Sequence, residues 1–155
     1  MAHWLFKTEP SAYSYADLER DKRTVWEGVS NAAALIHLRN VAAGDSVVIY
    51  HTGDVKAAVG LAQAHGGPYP DPRLGDPRRA VVDLVPVRAL AAPVPIAAFR
   101  ADDVLRGSEL VRFTRLSVMP LTPEQHARVL ELAKGGPISA HPAAARTRKA
   151  VARRA

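Results

Sequence analysis

The chain contains no cysteine, which excludes disulfides and thiolate zinc sites. Nor does any apolar run approach the roughly 20 residues that a bilayer-spanning helix requires. The N-terminus, Met1-Ala2-His3-Trp4-Leu5-Phe6-Lys7, moves straight into a strand pattern and lacks the basic and apolar regions of a secretory signal. No membrane partner is expected, and a cytoplasmic location is. Aromatic residues are scarce at 6%, so where they fall is informative. Acidic residues are absent after Lys134, whereas Arg146, Arg148, Lys149, Arg153 and Arg154 all lie there. The formal charge of +6 therefore resides largely in that tail, since the preceding residues hold 16 basic groups against 15 acidic ones. Such a tail adds salt-sensitive, sequence-blind attraction to phosphates. Charge alone gives the rest of the chain no preference for nucleic acid.

Catalytic signatures are missing as well. The six histidines, His3, His37, His51, His65, His126 and His141, show no metal-ligand spacing. His37 and His126 fall on helices expected to be solvated, while His51 ends the strongest strand. Ser30 lacks the second glycine of a hydrolase elbow, and the glycines form no phosphate loop. Asp102-Asp103 reads as a solvated or capping pair. These observations point away from an enzyme, and no cofactor or metal is expected.

What is present is a 155-residue chain that is 48% hydrophobic, enough for one domain with a real core. His3–Thr8 reads as a first strand, ended by Glu9-Pro10. Ser14-Tyr15-Ala16-Asp17 is a capping-box start for a short helix. Thr24–Trp26 is a short strand, Asn31 caps a helix to about Asn40, and Ser46–Thr52 is a β-branched strand suited to a sheet interior. Lys56 to Ala64 returns after a turn at Gly53-Asp54. The segment Gly66–Pro72 reads as loop, and a long strand runs from Arg79 to about Leu90, bent at Pro86. Helical turns are expected at Pro95–Arg100 and Asp102–Leu105, and a last strand at Thr114–Met119. Thr122-Pro123-Glu124-Gln125 opens a helix that stops at Gly135-Gly136. Short strands interrupted irregularly by helices predict an α+β fold, a small mixed barrel with helices at its rim. The expected domain is 1–134, followed by a disordered basic tail at 135–155.

Val25-Trp26-Glu27-Gly28-Val29-Ser30-Asn31 organises this pattern. Trp26 is either a core residue or the wall of a pocket, and Gly28 permits close approach of backbone or ligand. Lys7, Thr8, Trp26, Asn31, Tyr50, His51, Arg115 and Ser117 fall near strand ends. If those ends converge, a flat apolar wall ringed by hydrogen-bonding groups results, which is equipment for holding a planar base.

At these residues the sequence resembles the EVE domain family, a branch of the PUA-like superfamily related to YTH domains. The resemblance rests on Trp4–Pro10, Val25–Val29, Asn31, Gly44-Asp45, Tyr50-His51, Val59-Gly60, Tyr69–Pro72, Val82-Asp83, Arg115–Val118 and Thr122-Pro123-Glu124, in that order. It implies a PUA-like barrel without catalysis that recognises a modified base, methylated or hydroxymethylated cytosine or methylated adenine, in DNA or RNA. Trp26 would stack on the base. Thr8, Asn31 and Ser117 would bond its edge, and Lys7, His51, Tyr50 and Arg115 would complete the rim. After Gly28-Val29 many members read Arg-Asn-Tyr-Gln-Ala-Arg-Asn, where this chain has Ser30-Asn31-Ala32-Ala33-Ala34-Leu35-Ile36. The alternatives are a general RNA-binding module and a sensor of a free nucleobase-like ligand.

Overall fold

The computed structural model describes residues 1–135, and the basic residues Arg146, Arg148, Lys149, Arg153 and Arg154 lie outside them. The chain folds as β1 (His3–Thr8), α1 (Tyr15–Asp21), β2 (Thr24–Trp26), α2 (Ala32–Arg39), β3 (Ser46–His51), β4 (Ala57–Ala64), β5 (Tyr69–Pro70), β6 (Ala80–Pro95), α3 (Ile96–Ala101), α4 (Glu109–Arg112), β7 (Val118–Leu121) and α5 (Pro123–Ala133), with a 3-10 turn at Leu105–Gly107. This is the expected α+β architecture. The strands form one mixed sheet in the order β2-β6-β4-β3-β1-β7, with β5 on β6.

Local chemistry sets the helix starts. The Ser14 hydroxyl accepts from Asp17 N while the Asp17 carboxylate accepts from Ser14 N, closing a capping box on α1. Thr122 and Gln125 do the same for α5, with Pro123 in the first turn where its missing N–H costs nothing. β1 lies inside the sheet, parallel to β3 and antiparallel to β7. Leu5, Phe6, Val47, Val48, Ile49, Val118 and Met119 from these three strands are essentially fully buried. The register of β1 is held at its start by Asp45. Its carboxylate, 3% exposed, accepts from Ala2 N (3.0 Å), the Trp4 indole Nε1 (2.9 Å) and Ala42 N (2.8 Å). Burial works against this charge, yet those donors hold its pKa below the ordinary aspartate value.

Several expectations are corrected by tertiary packing. The Gly/Pro-rich segment 66–72 contains strand β5, whose Tyr69 and Pro70 pair with Val81 and Ala80. Its Tyr69 hydroxyl donates to Asp83 (2.6 Å), which also receives the Arg23 guanidinium. β6 continues past Leu90 to Pro95, with Pro86 opposite Ala62 where the β4 register shifts, a place where a missing ladder donor is tolerated. The last strand is Val118–Leu121 rather than Thr114–Met119. Leu116 N bonds back to Phe113 O and Lys7 N takes Ser117 O, so Arg115 and Ser117 sit on a turn beside β1. Asp102 takes the capping role of the two expected, accepting from Val104 N and Leu105 N, but it does so fully buried and also receives Arg128 Nε (2.9 Å).

Neither His37 nor His126 is simply solvated. His37 lies beside the Trp4 ring with Nε2 at 3.5 Å from Glu109. His126 stacks on His3 with centroids 4.1 Å apart, and its Nε2 is 2.9 Å from Ser46 Oγ. Burial, then the neighbouring His3 and Arg88, pull the His126 pKa down to about 4. The folded state thus favours neutral His126, while the unfolded chain takes up a proton near pH ~6.5. The associated stability is complete above that pH and is lost as the pH falls toward about 4. Thermal melts of the wild type between about pH 7 and pH 4.5 are expected to show a larger drop than melts of His126→Gln. The difference should be on the order of 1–2 kcal/mol, allowing for partial exposure.

Candidate functional site

The C-terminal end of β1, the β2 strand and the turn before α2 enclose a cavity of about 490 Å³. Its walls include Lys7, Thr8, Tyr13, Trp26, Glu27, Gly28, Asn31 and Ser117. Five of the eight residues proposed from sequence, Lys7, Thr8, Trp26, Asn31 and Ser117, therefore meet in one place. They come from β1, β2, the N-cap of α2 and the turn before β7.

Trp26 is both core and wall. Only 8% of it is exposed, because Phe6 packs against it at 5.7 Å and Tyr13 meets it edge-on at 6.3 Å and 88°. Trp26 is nonetheless among the residues lining the cavity, so an aromatic residue already fixed by its neighbours forms part of the wall. Gly28 has φ +81°, and no atom lies within 4 Å of where its Cβ would be. The residue type there answers to the left-handed turn rather than to crowding.

The polar groups have distinct hydrogen-bonding capacities. The Thr8 hydroxyl donates to Tyr13 O at 2.7 Å, so toward a ligand its oxygen is an acceptor. Asn31 Oδ1 accepts from Ala34 N at 3.0 Å, capping α2. Its Nδ2 makes no bond to the described residues and is the donor end. Lys7 Nζ donates to Thr114 O at 2.9 Å, and burial lowers its pKa. Two of its three donor positions remain. Glu27 at the rim pairs with Arg73. The cavity thus brings together an aromatic residue, the donors of Lys7 and Asn31 and the acceptor of Thr8, a combination that suits a flat heterocycle with mixed donors and acceptors on its edge.

The other three residues lie elsewhere. Tyr50, 4% exposed, packs edge-on against Phe99 at 6.5 Å. His51 Nε2 accepts from Tyr15 N at 3.0 Å, at the first residue of α1. Burial lowers its pKa against an opposing effect of Glu9, which suits this neutral acceptor role. Arg115 lines a neighbouring cleft with Phe113, His37 and Asn31. Sequence reasoning missed Tyr13, whose hydroxyl donates to Asp21 at 2.8 Å, and Glu27. Tyr13 follows a loop with no periodic pattern, so only its packing on Trp26 reveals it. Among the described residues, no group of three or more metal-ligating side chains occurs and no helix is long and apolar enough to cross a membrane.

A curled mixed sheet with helices at its rim and a polar-edged aromatic cavity defines a PUA-like domain. The EVE domain family model matches residues 2–132, and the chain belongs to that family. It is 28% identical to human thymocyte nuclear protein 1 over 170 positions, covering 88% of this chain and 76% of the relative. The NMR structure of Rpa0253 from Rhodopseudomonas palustris superimposes with a TM-score of 0.82 at 32% identity, covering 86% of this chain and 94% of that one. The crystal structure of human THYN1 in complex with 5-methylcytosine-containing DNA gives 0.79 at 26% identity, covering 88% and 100%. An ASCH protein from Zymomonas mobilis shares the fold at a TM-score of 0.54 and 11% identity.

Asn31 Oδ1 caps the helix while Nδ2 makes no bond to the described residues, so the contributions of the two atoms separate by mutation. Asn31→Ala is expected to cost about 1 kcal/mol through loss of the cap. Asn31→Asp keeps the capping oxygen and should melt close to the wild type. Paired thermal denaturation curves check both.

Proposed function

We propose that this protein is a non-catalytic reader of a modified base in nucleic acid, with 5-methylcytosine in DNA as the first candidate ligand. The observation that carries the reading is the cavity itself: Trp26, braced by Phe6 and Tyr13, lines it together with Thr8, Lys7 and Asn31. The complex of human THYN1 with 5-methylcytosine-containing DNA supports this choice. Trp26 stacks on the base after it leaves the duplex. Asn31 Nδ2 and Ser117 donate to its edge, Thr8 Oγ1 accepts, and the Lys7 ammonium faces its carbonyl or an adjacent phosphate. None of these groups needs to transfer a proton or form a bond, and a cytoplasmic site of action belongs to the same proposal.

The test is binding of wild type and Trp26→Ala to matched oligonucleotides, unmodified or carrying methylated or hydroxymethylated cytosine or methylated adenine, as DNA and as RNA. Base stacking of about 1–3 kcal/mol predicts a loss of roughly 5- to 150-fold for the preferred ligand in the mutant, with little change for unmodified strands. Equal affinity for all oligonucleotides in the wild type would replace the reader with a general RNA-binding module. Tight binding of a free base with no gain from the polymer would replace it with a small-ligand sensor.

The basic residues beyond Lys134 give a second prediction. Removing residues 136–155 is expected to flatten the dependence of log affinity on log salt, by about 0.7–0.9 for each phosphate that the tail neutralises, and to leave base preference unchanged. Titrations at two salt concentrations measure the slope, and an unaltered one sinks this role for the tail.

A further inference from the structure

Two more clefts open beside the base cavity, and all three meet at the residues that lead into α2. One, of about 540 Å³, shares Ser30 with the base cavity and is walled by Leu35, Ile36, Arg39, Arg78 and Arg79. The other, of about 480 Å³, shares Asn31 and is walled by Ala33, His37, Phe113, Arg115 and Leu116. Ser30 and Asn31 are thus a ridge with the base cavity at its centre and a cleft on either side.

The clefts differ in chemistry. The first is a cationic groove. Asp76 also lines it, pairing with Arg78 and lying in the field of Arg79, so three arginines face one carboxylate. Arg39 forms no ion pair among the described residues and is oriented by donating through Nη1 to Arg78 O at 3.0 Å. The second is an aromatic shelf. Phe113 is 48% exposed, with the Arg112 guanidinium 5.2 Å from its ring centroid. Neither Arg112 nor Arg115 has a carboxylate partner among the described residues. An exposed phenyl ring flanked by cations without carboxylate partners suits a nucleobase next to phosphates.

Resting on the base-reader function above, we propose that the strand carrying the read base crosses this ridge. One neighbouring nucleotide stacks its base on Phe113, with Arg112 and Arg115 near its phosphate. On the other side, the backbone runs along the groove of Arg39 and Arg79. The protein therefore grips single-stranded flanks on both sides of the base, and the flank on Phe113 stacks without regard to sequence.

The test compares a short single-stranded DNA carrying 5-methylcytosine at its centre with two flanking nucleotides on each side, its unmodified counterpart and free 5-methyl-2′-deoxycytidine. The proteins are wild type, Phe113→Ala and Arg39→Ala/Arg79→Ala, each checked for an unchanged fold by circular dichroism. Phe113→Ala is expected to weaken both strands by a common factor, roughly 5- to 150-fold, and to leave the free nucleoside unaffected. The double arginine variant should lower the salt slope by about 1.4, the value for two single-strand phosphates, again leaving the nucleoside unaffected. Unchanged affinity and salt slope for the strands, or an equal loss for strand and nucleoside, would overturn the track. Failure of the base-reader reading looks different: the wild type would bind modified and unmodified strands alike, while the two flank variants still weakened both.

Discussion

A single buried carboxylate fixes where the first strand begins. Asp45 gathers Ala2 N, the Trp4 indole and Ala42 N, tying the N-terminus to the turn that launches β3. From that anchor, β1 runs in parallel register with β3, His3 opposite Ser46 through Thr8 opposite His51. Trp4, Leu5 and Phe6 are all buried, so both faces of the strand are packed and sliding it by one residue would exchange the side chains fitted to each. Because Lys7 and Thr8 end the same strand, the anchor also determines the height at which they enter the cavity. A buried carboxylate with fewer donors would be a liability at this position; with three, it acts as the reference point for the sheet.

The binding surface is assembled before any ligand arrives. Trp26 is held by Phe6 from β1 and by Tyr13 from the loop before α1, and Thr8 directs its own proton to Tyr13 O. The same loop therefore sets both the tilt of the indole and the polarity of the hydroxyl. Under the proposed function, a planar base would meet an indole and a hydroxyl already held by their neighbours, so little ordering entropy would be lost on binding. Discrimination then depends on a few atoms, since a buried donor or acceptor left without a partner costs more than a good bond gains.

Much of this was readable in the residues. Capping chemistry at Ser14, Asn31 and Thr122 and the β-branched run of β3 are local signals, and they located α1, α2, α5 and the central strands. Strand ends and the family resemblance grouped eight residues, of which Lys7, Thr8, Trp26, Asn31 and Ser117 line one cavity. What escaped depends on partners distant in sequence. β5 forms where Tyr69 reaches Asp83, a bond that overrides the Gly/Pro content around it. The segment 114–117 looks like a strand until Lys7 claims the carbonyls of Thr114 and Ser117. Tyr50 and His51 lie on the strand expected, but the pairing of β3 with β4 shifts at Ile49/Tyr50, and their side chains serve Phe99 and α1. The His3–His126 stack joins opposite ends of the described chain, beyond any periodicity argument.

Position 31 carries two obligations at once. Its carbonyl oxygen caps the helix while the residue also lines the cavity, so under the proposed function the set of tolerated residues is the intersection of good helix caps and good base contacts. Serine, threonine and aspartate satisfy the first requirement, and each presents a different donor pattern to the second. Were these residues to contact the base as proposed, lineages that change ligand at position 31 would have a narrow alphabet, and selections for new specificity would find most of their viable diversity at Thr8 and Ser117 instead.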